Sequence, residues 1–180
     1  MTQHEYVFIA ISITLGLAIT RLLHTVAMLI RARRRVSFHW ATAVWAFCVM
    51  FYILQLWWVG WGLRSMEAWA FTDFLTLMAA SICIYGAAEM ALPVPDEDHM
   101  LDFLTHSQGI GRLSAVSMLL YFLMGPYVNI TMFRNDVAPS IVMPILGIIL
   151  MATIVASPRA FRACSALFAL YTAIILVLTA

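Results

Sequence analysis

Arg21, His24 and Glu89 are the residues whose chemistry sits least comfortably with their surroundings. Arg21 and His24 interrupt the otherwise apolar run "LGLAITRLLHTV" (15–26), and Glu89 interrupts "YGAAEMALP" (85–93). An arginine in hydrocarbon costs at least ~2.5–3.5 kcal/mol unless it faces an opposite charge or a watery cavity. Arg21 and His24 are three residues apart, so on a helix they share a face, and Glu89 carries the complementary charge. The expectation is a polar site formed by Arg21, His24 and Glu89. Leading up to it, Ser12, Gly16, Thr20 and His24 recur every four residues. Their small side chains suit close helix packing, while the hydroxyls of Ser12 and Thr20 could serve water or ions along a cavity.

A second constellation lies in "HMLDFLTH" (99–106), where His99, Asp102 and His106 fall on one side of any helix. Two imidazoles and a carboxylate can hold a divalent metal. The same stretch, with Met100, Leu101, Phe103 and Leu104, also describes an amphipathic segment lying at a membrane interface. His24, His39, His99 and His106 would all reach one side of a membrane, which allows a shared metal or haem site, although the sequence names no cofactor. No HExxH or GxSxG signature is present, so an enzyme has little to rest on. Cys48, Cys83 and Cys164 lie in apolar segments without CxxC spacing and read as small buried hydrophobes.

Milder polar groups are spread through the apolar runs. Gln55 and Asn129 could hydrogen-bond between helices. Asp73 could face Arg64. Pro126 and Pro144 should kink their helices and release carbonyls that need another partner.

The elements that must position these groups are transmembrane. Hydrophobic residues make up 64% of the 180, charged residues 11%, and mean hydropathy is +0.95. Soluble domains carry about a quarter charged residues, so a soluble class is excluded. Apolar runs recur at the ~20-residue length that crosses a bilayer. They define an all-α polytopic bundle, a single integral membrane domain over 1–180 with spans near 6–30, 38–63, 68–92, 112–133, 138–156 and 160–180. The segment between the third and fourth spans is the interfacial one. A three-plus-three inverted repeat is permitted, but no internal similarity supports it. A net charge of +1 offers no extended basic face for nucleic acid, and the cluster "RARRRV" (31–36) is explained as a topology signal.

Arg31, Arg33, Arg34, Arg35, Arg112, Arg159 and Arg162 fall in one set of connections, and only Arg64 and Arg134 in the other. The positive-inside rule then places both termini on the non-cytoplasmic side. Trp57, Trp58, Trp61 and Trp69 suit the outer interface, with Phe38 and Trp40 at the inner one. Measured back from the arginine cluster at 1.5 Å per residue, Arg21 should lie near the middle of a core about 30 Å thick, with Glu89 about one turn inside the inner boundary, so that the site falls in the cytoplasmic half.

The segments "SITLGLAITRLL", the arginine cluster, "HWATAVWAF" and "LQLWWVGWGLRS" resemble a recurrent family of small bacterial inner-membrane proteins. The resemblance covers about the first third of the chain. It implies a bacterial inner membrane and carries over no activity, substrate or site residue. Three functions stay open: a channel or transporter for protons, ions or a small solute; a scaffold or partner subunit in which Arg21 and Glu89 lock two helices; and a haem- or metal-binding membrane protein. The lipid bilayer is the expected partner, and a homo-oligomer is compatible with so small a bundle.

Overall fold

The computed structural model describes residues 2–66, 68–95 and 100–179. Among them are seven helices, α1 (Gln3–Arg31), α2 (Trp40–Gly62), α3 (Phe71–Met90), α4 (Phe103–Gln108), α5 (Arg112–Tyr127), α6 (Val137–Ala156) and α7 (Phe161–Thr179). All but α4 are parts of six segments long and apolar enough to cross a membrane, as a multi-pass membrane protein requires.

Local chemistry sets the ends. Helix α1 starts three residues before the expected boundary because Thr2 and Glu5 form a reciprocal capping box, each side chain accepting from the other's backbone N–H. Helix α3 starts three residues late because the Asp73 carboxylate accepts the Ala70 N–H at 2.8 Å. That carboxylate also accepts from the Tyr127 hydroxyl at 2.8 Å. Asp73 is therefore held by α5 and its own helix start, and the expected Arg64 contact is replaced: Arg64 lies over the Trp61 ring, 4.8 Å from its centroid.

In cross-section the spans form a ring in the order α1, α3, α5, α6, α7, α2, with α2 also touching α3. Its middle is filled by rings. Trp45 and Phe168 have centroids 5.1 Å apart, Tyr52 and Phe168 are stacked at 5.5 Å, and Phe122 meets Tyr52 edge-on at 5.2 Å. Small residues set two close approaches. A Cβ on Gly60 would lie 3.0 Å from Ile11 and Phe8, and one on Gly147 would lie 2.9 Å from the Phe122 ring.

The connection between α3 and α5, the segment expected at the membrane interface, is helical over a short stretch only. Its helix is only Phe103–Gln108, and Phe103 and Ser107 are buried. The Thr42 and Ser107 hydroxyls and the Phe103 carbonyl close a buried triangle with sides of 2.8–3.0 Å. The apolar side of α4 is thus spent on α2, although Met100 remains exposed. The all-α expectation also misses one short feature: β1 (Val36–Ser37) pairs in parallel with β2 (Leu101–Asp102), tying the arginine turn to this connection. Nearby, Trp45 Nε1 donates to Ser114 Oγ at 2.9 Å, which donates to the Ala87 carbonyl at 2.7 Å, linking α2, α5 and α3.

Candidate functional site

Arg21 and Glu89 meet. The Arg21 Nε lies 2.6 Å from Glu89 Oε2, joining α1 to α3. The two atoms are shut from solvent but not aligned as a regular hydrogen bond, so charge attraction rather than directional bonding holds them. Each side chain is 35% exposed, which places the pair on the flank of the bundle. Along their helices both residues lie about 27 Å from the end nearer the chain termini. Glu89 is one residue from the end of α3, so the pair belongs to that helix's last turn, at the end away from the chain termini. Helix α1 is the longer of the two, its 29 residues against the 20 of α3.

The other members of the expected site do not join them. His24 is exposed and has no hydrogen bond or ion pair among the described residues. The Thr20 hydroxyl donates to the Gly16 carbonyl of its own helix at 2.8 Å. Ser12 Oγ is buried without a partner. Added bulk at Gly16 would meet nothing within 4 Å, so this position is no close-packing seam. None of these residues lines any of three cavities of about 550, 540 and 430 Å³.

Of the expected metal ligands, Asp102 and His106 are separately engaged. Asp102 caps α4 by accepting from the Thr105 N–H at 2.9 Å. His106 Nε2 faces the Met90 carbonyl at 3.2 Å, and burial pushes its pKa below the usual histidine value. His99 lies outside the described residues. His39 Nδ1 accepts from the Ala41 N–H at the start of α2. Among the described residues no three His, Cys, Asp or Glu side chains gather as a metal site.

The polar space is elsewhere. A cavity of about 540 Å³ occupies the half of the bundle nearer the termini, between α2, α5, α6 and α7. Tyr52, Tyr121 and Tyr171 line it with Gln55, Asn129 and Asp136. Gln55 and Asn129, expected to bond between helices, share this cavity, and neither side chain has a hydrogen-bond partner among the described residues. Asp136 precedes α6 without capping it, and its exposed carboxylate is unpaired among the described residues. The Tyr52 hydroxyl is buried beside Thr172 and Tyr171, and the Tyr171 hydroxyl donates to the Met143 carbonyl at 2.8 Å. Among the described residues no arginine or histidine lines the space.

The wall between α5 and α6 is irregular. Pro126, inside α5, cannot supply the N–H that the Phe122 carbonyl would take. The chain widens directly afterwards into a π-helical turn, Val128–Met132, which contributes Val128 and Asn129 to the cavity. Such turns recur at functional sites. Opposite, Pro144 interrupts the donor ladder of α6 and packs against Gly125. The two prolines are visible in the sequence, but their convergence on one wall is tertiary. What could have drawn attention to the cavity is the shared depth of Gln55, Asn129 and Asp136, which lie near the terminal ends of different helices.

No family model matches the chain, and neither does any curated protein or solved structure.

Proposed function

We propose that this chain is a multi-pass membrane protein that takes a small solute into the cavity between α2, α5, α6 and α7, as the binding step of transport. The observation carrying this reading is a cavity of about 540 Å³ with unpaired amide and carboxylate groups, inside an otherwise apolar bundle. Ligand sites fall in the range of about 300–1,000 Å³ and combine apolar walls with a few polar groups. Asp136 gives the lining a negative charge and no basic residue among those described offsets it there, so a cationic or neutral solute fits better than an anionic one. The aromatic centre closes the cavity below, which suits a pocket open to one side. The π turn and two prolines provide a wall able to rearrange. By the arginine count, the open side is non-cytoplasmic, in a bacterial inner membrane.

The Arg21–Glu89 pair has a different role under this reading: it fastens α1 to α3. A pair outside the three cavities supports a lock better than a pathway.

The test compares tetraethylammonium with the similarly shaped neutral alcohol 3-ethyl-3-pentanol, by calorimetry on purified protein and by uptake into proteoliposomes. The expected result is saturable binding and uptake of the cation, with Asp136→Asn weakening cation binding about tenfold and leaving the alcohol unchanged. Absence of binding and uptake for both probes overturns the reading. Uptake abolished by Glu89→Gln in a folded protein, but untouched by Asp136→Asn, would move the pathway to α1 and α3.

A further inference from the structure

The α1–α2 seam is tight near the termini, where His4 Nε2 donates to the Gly60 carbonyl at 2.9 Å, but it opens toward the arginine turn. There a cavity of about 550 Å³ runs between the helices, lined by Leu22, Val26 and Leu29 on one side and Ala43, Phe47 and Met50 on the other. Alanines at 43 and 46 provide the hollow, since side chains the size of Phe47 at those positions would fill it. Among the described residues Arg33 is the one charged residue in the lining, and it is exposed. Arg31 and Arg34 stand beside it, also exposed.

We infer that this groove holds a phospholipid with an anionic headgroup: an acyl chain lies between α1 and α2, and the phosphate is met by Arg33. An apolar slot ending in arginines matches an amphiphile at both ends. A hydrocarbon chain alone would leave the arginine unused, and a free anion would leave the apolar walls unused. Basic residues beside a membrane span attract anionic lipid, whereas a zwitterionic headgroup gives no net attraction. "RARRR" thus contributes a binding contact in addition to setting topology.

Native mass spectrometry of the detergent-purified full chain, with phosphatidylglycerol and phosphatidylcholine of identical acyl chains, tests the site. Phosphatidylglycerol should bind at least about fivefold more tightly, Arg33→Gln should remove about that factor, and Ala43→Trp should displace both lipids. Arg33→Gln changes an exposed side chain and leaves the fold intact, so it decides the matter even if the tryptophan variant misfolds. Equal affinity for the two lipids overturns the inference, as does an unchanged preference in Arg33→Gln. Inorganic phosphate matching phosphatidylglycerol in a thermal-shift measurement would also overturn it, by showing an anion site without an acyl slot.

Discussion

The α1–α3 flank and the α2–α5–α6–α7 half place polarity in opposite ways. On the flank, two full charges face each other across 2.6 Å and line none of the three cavities. In the other half, uncharged amides and tyrosines with a single carboxylate surround about 540 Å³ of space. Strong charges inside an apolar bundle tend to neutralise one another, because an unpaired one is so costly. Weaker dipoles can be left facing a cavity at lower cost. The most conspicuous residues of the sequence therefore mark a fastening, and the less conspicuous ones surround the space.

Packing at glycine gives the largest test of this contrast. Gly147→Ala forces a Cβ against Phe122 at the wall of the cavity and should destabilise by about 1–3 kcal/mol. Gly16→Ala on α1, with open space around it, should be neutral or stabilise by up to about 1 kcal/mol. Thermal unfolding in detergent measures both; equal losses would restore the small-residue stripe of α1 as a packing seam.

The charge pair comes next. Arg21→Met and Glu89→Gln should each lower stability by on the order of 1 kcal/mol, reduced from a fully buried pair because both groups are a third exposed. The double variant should lose less than the sum of the two. Adding His24→Ala should change nothing further. Strict additivity between Arg21 and Glu89 would dissolve the fastening and weaken the contrast with the cavity.

The smallest expected effect is pH-dependent and lies at α4. His106 has its folded pKa lowered from 6.5 by burial, so the folded protein favours neutral imidazole. Its contribution is complete above 6.5 and is lost as pH falls toward the lower folded value. His106→Gln should flatten the stability profile in that window while leaving the cavity's tetraethylammonium affinity unchanged. A steeper fall in the variant would reverse the assignment.

Much of the architecture follows from composition. Six apolar runs of bilayer length yield six long helices, and the complementary charges of Arg21 and Glu89 indicate a pair. Pro126 and Pro144 announce breaks in the hydrogen-bond ladder before any fold is known. The start of α1 was missed by three residues, because the Thr2–Glu5 capping box that sets it was not read from the sequence. Asp102 and His106 shared a helical pattern with His99, which lies outside the described residues, but Asp102 caps the short helix and His106 turns to Met90.

By itself, the sequence determined the class of solvent the chain requires, the number of spans and the identity of the pair, because hydrocarbon selects strongly against unpaired charge and unsatisfied backbone. Only the tertiary structure decided which helices are neighbours in the ring, that aromatic side chains close its centre, and that Gln55, Asn129 and Asp136 surround one space. Those outcomes depend on side-chain volume and shape at contacts between distant segments, such as Gly147 against Phe122. Hydropathy along a single helix does not encode them.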